Sequence, residues 1–235
     1  MTTRIFGSGI RRREDPRLIT GRASYTDDIK LPGMVHAAIL RSPHAHARIT
    51  SIDTSAAKAA PGVLAVFTGA DTEGALKPLP CAWVIPNSNV KAVAHPPIAK
   101  DVVRYVGDAV AVVVAESRYQ AEDALELINV NYQILVAVVN PEAALKQGVV
   151  QLHADAADNQ AFHWVASGGD VDFAFASADV VVKDTIIQQK LIPNAVEPRS
   201  AIASWLAPMG ELTLWSTSQN PHICRFLCSL VTGVP

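Results

Sequence analysis

Seven consecutive apolar residues, Ala109–Ala115 (AVAVVVA), limit what this chain can fold into more than any other stretch. A run so short and so rich in valine is a strand buried on both faces, and it demands a layer on each side. Gly107-Asp108 ahead of it reads as a turn. Behind it, Glu116 or Ser117 starts a helix over Arg118–Ile128, with Ala121, Ala124, Leu125 and Ile128 spaced to share one inner face. Val130, Tyr132 and Ile134 then alternate as in a further strand. Strand, helix and strand, joined at close to the minimal crossover length, predict a small α/β unit around the valine run.

Upstream, residues 1–20 read as an irregular, mixed-charge arm around Arg11-Arg12-Arg13-Glu14-Asp15-Pro16-Arg17, either solvated or clamped to a neighbouring domain. Gly21–Leu31 is turn-like, and Asp27-Asp28 reads as a pair of turn acids that hydrogen-bond backbone. Strands are expected over Met34–Leu40, Ile49–Ile52 and Val63–Phe67. Thr54-Ser55 caps a short helix, Ala56–Ala60, which Pro61-Gly62 stops. Thr68–His95, with Trp83, Asn87 and Asn89, is a long excursion of little regular structure, and connections of that length serve function or an interface. Asn140-Pro141 opens a last short helix, Glu142–Leu145, and closes a first domain over 21–150.

Residues 151–169 have the character of a linker; Gly168-Gly169-Asp170 lacks the third glycine and preceding strand of a dinucleotide loop. From 170 a second part begins with a brief helix or turn, Val171–Ala178. Strands Val180–Gln188, Arg199–Leu206 and Glu211–Thr217 are predicted to form an antiparallel meander, with Pro208-Met209-Gly210 as a turn. The polar turn Ser218-Gln219-Asn220-Pro221-His222 leads into a helix, Ile223–Val231. There Cys224, Leu227, Cys228 and Val231 share a face, and Gly233 ends it. A carboxamide just past a strand end donates two hydrogen bonds and accepts through its oxygen. A capped turn and a ligand-facing Gln219 are both open on local pattern.

A net charge of -2 removes the electrostatic case for nucleic acid or an anionic membrane. No apolar run reaches the length of a membrane span, and no hydrophobic segment follows the basic N-terminus as in a secretory signal. Cys81, Cys224 and Cys228 form no disulfide framework and suit a reducing, cytoplasmic setting. Cys224 and Cys228 read as small core residues, and His44 with His46 as half a metal site that nothing completes. Ser204 and Ser216 lack the glycine-flanked turn of an exposed nucleophile. Glu197, between Val196 and Pro198, is either a buried acid of raised pKa or a carboxylate hydrogen-bonded to backbone.

The run GRASYTDDIKLPGMVHAAILRSPHAHARITSIDTSAAKAAPGVLAVFTGAD, followed by VRYVGDAVAVVVAESRYQAEDALELINVNYQ, resembles the a/b hammerhead domain of the xanthine dehydrogenase/aldehyde oxidase family of molybdenum hydroxylases. GDVDFAFASADVVVKD, LIPNAVEPRSAIASW and ELTLWSTSQNPHICRFLCSLVTGVP resemble the opening of its molybdopterin-binding domain. The resemblance implies an α/β (α+β) fold: a hammerhead domain, then the truncated start of the cofactor domain. The GSGIRRREDPRLITGRASY arm is similar to separate large subunits of heterotrimers such as aerobic carbon monoxide dehydrogenase. Asn129 and Asn131 stand where acidic residues are common in the hammerhead strand.

The resemblance alone also implies a chemistry. The complete enzyme carries a molybdenum–pterin centre, with molybdopterin cytosine dinucleotide as the expected form. It oxidises CO or hydroxylates an aldehyde or N-heterocycle with oxygen from water, and two electrons leave through iron–sulfur clusters to FAD on partner subunits, as a heterotrimer or a dimer of trimers. By the same resemblance, Gln219 matches the glutamine that hydrogen-bonds the metal's oxo group, Asn220 and His222 match the rest of that cofactor loop, and Glu197 matches a frequent acid whose role is structure or pocket shape and not proton transfer. No protein ligand to the metal is expected. The family's glycine-rich pterin loop and glutamate base do not occur before Pro235, so the chain alone is expected to be inactive and to hold no cofactor stably. The alternative is a non-catalytic hammerhead module for interaction or assembly.

Overall fold

The computed structural model describes residues 6–81 and 86–235, so Trp83 and the first five residues of the expected arm lie outside the described residues. In chain order the strands are β1 (His36–Arg41), β2 (Ala47–Asp53), β3 (Val63–Thr68), β4 (Val102–Val103), β5 (Ala109–Ala115), β6 (Asn129–Ile134), β7 (Ala201–Leu206) and β8 (Glu211–Ser216). The helices are α1 (Asp15–Ile19), α2 (Ser55–Lys58), α3 (Gly69–Thr72), α4 (Arg118–Leu125), α5 (Pro141–Ala144), α6 (Val171–Ala176) and α7 (Pro221–Thr232). The chain divides into two compact units, Gly33–Lys190 with Asn220–Pro235, and Met1–Pro32 with Leu191–Gln219.

In the larger unit β5 is the middle strand of an antiparallel sheet ordered β1-β5-β3, and Val113 faces Ala38 on one side and Val66 on the other. Val110, Ala111, Val113 and Ala115 are buried, as the apolar run requires, while Val112 and Val114 are half-buried. α4 covers this sheet with Ala121 and Ala124, which join Ala57 of α2, Val66 and Ile128 in one core. Ser117 starts α4 as its N-cap: its hydroxyl accepts the Gln120 amide at 3.3 Å. Alanines on the inner face let the helix backbone come close to the sheet. Gly62, ahead of β3, is held at φ +77°, a left-handed conformation that favours glycine, and a Cβ there would also displace the end of the Gln120 side chain.

The strand–helix–strand segment does not close the expected crossover. β6 leaves the sheet that holds β5 and pairs antiparallel with β2 in a second sheet, β4-β2-β6. β1 and β3 already occupy both edges of β5, whereas the seven-residue β2 offers β6 a long free edge. Val130 and Tyr132 of β6 pack there against Ala47, Ala99, Val103 and Val110. Ile52 and Val130 touch both cores and join the sheets into one body.

The long excursion holds little regular structure beyond α3, which Thr68 and Asp71 close with a reciprocal capping box. It is tied down piecemeal: Leu79 N–H donates to His95 O at 2.8 Å, Lys91 N–H to Ala161 O at 2.9 Å, and His163 N–H to Asn89 Oδ1 at 2.6 Å. α5 begins under an Asn140 cap that accepts from Ala143 N–H at 2.9 Å. Val180–Gln188, expected as a strand, joins no ladder. Its apolar side chains lack both a hydrogen-bonded edge and a covering layer among the described residues: Val182 is 83% and Ile187 84% exposed. α7 begins at Pro221, earlier than predicted, and ends at Gly233 in the left-handed region, with Cys224, Leu227, Cys228 and Val231 half-buried along one face.

In the smaller unit β7 and β8 pair from Ala201–Ser216 to Leu206–Glu211, and an Ala207–Met209 turn closed by Gly210 at φ +62° joins them. The meander is thus two-stranded. The arm is not wholly irregular either: Pro16 at the start of α1 and the Thr20 hydroxyl on Pro16 O stabilise a short helical turn.

Candidate functional site

β8 delivers Thr217 to a fixed place in the smaller unit. Its amide donates to Ser200 O at 3.3 Å, and its hydroxyl lies 3.2 Å from Glu197 Oε1 and 3.5 Å from Pro198 O. The same Glu197 oxygen accepts from Thr26 N–H at 3.1 Å and from the Thr26 hydroxyl at 3.2 Å. Thr26 opens a single 3-10 turn, Thr26–Asp28, in which Asp28 accepts the Tyr25 amide at 2.9 Å. Asp27-Asp28 therefore belong to a turn. Glu197 is half-buried, whereas Val196 beside it is 87% exposed. Ser200 Oγ is buried with no hydrogen-bond partner among the described residues.

Two residues past Thr217, Gln219 sits in a bend with its side chain exposed and without a hydrogen bond among the described residues. It closes the smaller unit in sequence, and Asn220 opens α7 in the larger one. Asn220 O accepts from Cys224 N–H at 3.0 Å, Pro221 occupies the first helical position, and His222 is exposed in the first turn. An uncommitted carboxamide supplies two N–H donors, and the N-terminus of a twelve-residue helix favours negative charge. The chemistry of the carboxamide by itself suits an oxygen-bearing group such as that of a molybdenum–pterin. Among the described residues no cluster of three or more His, Cys, Asp or Glu side chains is placed to hold a metal ion by itself.

His44 and His46 do not converge. His46 Nδ1 is 2.7 Å from Val136 O, and the His44 ring packs edge-on to Tyr132 with centroids 4.9 Å apart. Sequence reasoning missed the buried polar group around them. Ser42, His46 and Asp108 are buried, Ser42 N–H donates to Asp108 O at 2.8 Å, and Arg104 N–H donates to Asp108 Oδ2 at 3.2 Å. Burial first, and then the Asp108 charge, push the Tyr105 hydroxyl up from its ordinary pKa. Burial also raises Tyr132, against a lowering hydrogen bond with Ser42. The missed signal was Gly107-Asp108, read as a bare turn although it abuts the buried strand. The partnership of Thr26 and Thr217 through Glu197 was missed too, because it joins residues 171 positions apart.

Residues 20–136 match the sequence model of the aldehyde oxidase and xanthine dehydrogenase a/b hammerhead domain, and residues 152–235 that of a molybdopterin cofactor-binding domain. The chain is 40% identical to the carbon monoxide dehydrogenase large chain of Afipia carboxidovorans, over 99% of its own length and 30% of that protein's. It is 39% identical to the nicotine 6-hydroxylase large subunit of Paenarthrobacter nicotinovorans, over 99% of its length and 28% of the relative's. The crystal structure of quinoline 2-oxidoreductase from Pseudomonas putida 86 superposes with a TM-score of 0.82 at 37% identity, covering 97% of this chain and 29% of that one. The chain thus spans under a third of each of these relatives.

Proposed function

Because this chain belongs to the xanthine dehydrogenase/aldehyde oxidase family of molybdopterin oxidoreductases, of the large-subunit type found in carbon monoxide dehydrogenases, we propose that it supplies the hammerhead domain and one wall of the cofactor pocket of a molybdenum hydroxylase. The complete enzyme would oxidise CO or hydroxylate an aldehyde or an N-heterocycle, the molybdenum–pterin supplying the redox chemistry when bound. The observation that carries this reading is the uncommitted Gln219 carboxamide, presented between β8 and α7 inside the segment that matches a cofactor-binding domain.

Gln219 would hold the molybdenum group by donating from its NH₂, the kind of neighbouring hydrogen bond that orients a metal centre. Asn220 and His222, at the start of α7, line the same loop, where the helix dipole favours an anionic ligand. Glu197 serves structure or pocket shape and not proton transfer. The partners proposed are an iron–sulfur subunit and an FAD subunit, which would take up the electrons in a cytoplasmic heterotrimer or a dimer of trimers. Molybdopterin cytosine dinucleotide is the pterin form proposed. Cys81, Cys224 and Cys228 form no disulfide among the described residues, which suits a reducing compartment. Among the described residues no helix is long and apolar enough to cross a membrane.

The test is Gln219→Ala in the assembled, molybdenum-loaded enzyme. The expected result is a fall in kcat of at least about tenfold, in line with losing one hydrogen bond to a charged group, together with an altered Mo(V) paramagnetic resonance spectrum at unchanged molybdenum content. An unchanged spectrum would remove Gln219 from the centre.

A further inference from the structure

One carboxylate oxygen carries three donors from two segments far apart in sequence. Glu197 Oε1 receives Thr26 N–H at 3.1 Å, Thr26 Oγ1 at 3.2 Å and Thr217 Oγ1 at 3.2 Å. Each contact is longer than the 2.7–2.9 Å usual for a charge-assisted bond, as expected when three donors crowd one oxygen. Replacing any one donor leaves two, so the junction tolerates partial loss, whereas losing the carboxylate releases all three. Thr217 directly follows β8: its amide links back to the β7 side through Ser200 O, and no described hydrogen bond restrains Gln219 itself. Whatever fixes Thr217 therefore fixes the base from which Gln219 projects.

We propose that Glu197 is a positioning residue for the Thr217–Gln219 loop, and that it makes the Thr26 turn of the N-terminal arm part of that loop's support. The arm then has a role beyond solvation: its turn presents an amide and a hydroxyl together to one carboxylate. Proper placement of Gln219 depends on a residue more than 190 positions earlier in the chain. The consequence for the cofactor rests on the molybdenum reading of Gln219; the mechanical link does not.

The experiment is residue-level hydrogen exchange on the full 235-residue chain, comparing the parent with Glu197→Ala, Glu197→Gln and Thr217→Val. Glu197→Ala should speed exchange at the Thr26 and Thr217 amides together, by about tenfold or more, because hydrogen bonds to a charged acceptor are among the stronger ones. Glu197→Gln keeps an acceptor oxygen and should restore most of the protection at both places. Thr217→Val should speed exchange at the residue 217 amide while leaving the Thr26 amide protected, and it decides the matter if Glu197→Ala fails to fold. Faster exchange at Thr26 with the Thr217 amide unchanged, or no rescue by glutamine, overturns the proposal. An unchanged Mo(V) spectrum in Gln219→Ala would instead overturn the molybdenum reading and leave this link standing.

Discussion

The amide of Lys77 donates to the carbonyl of Val231 at 2.9 Å, so the far end of α7 is anchored on the long excursion of the hammerhead part. At 1.5 Å per residue that anchor lies about 16 Å along the helix from Asn220. The last carbonyls of α7 are otherwise closed locally, Cys228 O by the Thr232 hydroxyl at 2.7 Å and Ser229 O by Gly233 N–H at 2.8 Å. Gly233 adopts φ +76° with open space around its Cβ position, so a side chain there meets backbone strain and no clash. Gly233→Ala should destabilise the larger unit by about 1 kcal/mol. Urea denaturation would check this, with faster exchange confined to the last turn of α7 as the accompanying sign.

The same unit offers a cleaner measure of what the valine run contributes. Val113 is fully buried between β1 and β3 under α4. Val113→Ala removes two methyl groups from a core built of alanine and valine, which leaves little room for neighbours to collapse inward. A loss of about 1.5–3 kcal/mol is expected, read as a lowered denaturation midpoint at unchanged slope. A neutral outcome would mean that the sheet is not the centre of the fold.

Ser117 tests the helix that covers that sheet. Its hydroxyl accepts the Gln120 amide and also donates to Gln120 Oε1 at 2.7 Å. Ser117→Ala should cost about 0.5–2 kcal/mol, and Ser117→Thr should recover most of it. Equal destabilisation by both would show that the hydroxyl does not cap α4.

The strands built around β5 were legible because burial on both faces leaves only apolar residues in so short a run, and the 3–4 spacing of Ala121, Ala124 and Ile128 named the face of α4 correctly. The partner of β6 was not legible. Val130, Tyr132 and Ile134 announce a strand, but nothing local records that β1 and β3 already fill both edges of β5. The strand expected over Val180–Gln188 has the right composition, and composition does not supply a neighbour to pair with. At the candidate site, position was readable and support was not: Gln219 stands out at the end of an alternating strand, while Thr26 and Glu197 meet only in three dimensions.

His153 makes stability depend on pH. Burial, then the Arg104 charge and His95, hold its pKa below the usual 6.5, and Asp155 opposes them. The folded state therefore binds a proton less readily than the unfolded state. The stability this represents is complete above about pH 6.5 and is lost as the pH falls from there through the folded-state pKa. Thermal unfolding between about pH 7.5 and 5 should show a declining Tm over that window, and His153→Gln should flatten part of the decline. If His153→Gln follows the parent at every pH, the imidazole is not held neutral by its surroundings.

Residues 180–188 combine β-branched side chains with a backbone that joins no ladder among the described residues, the pattern that lets extended segments associate with other chains. Because Val182 and Ile187 are more than four-fifths exposed, charging them removes almost no buried surface. Val182→Lys and Ile187→Lys should each leave the unfolding free energy within about 0.5 kcal/mol of the parent, the range for exposed positions. Their combination should lower the light scattering of concentrated solutions, because it breaks the apolar edge with like charges. A Tm several degrees lower for either single variant would place that side chain in a packed layer, and the segment would then be a strand with a partner after all.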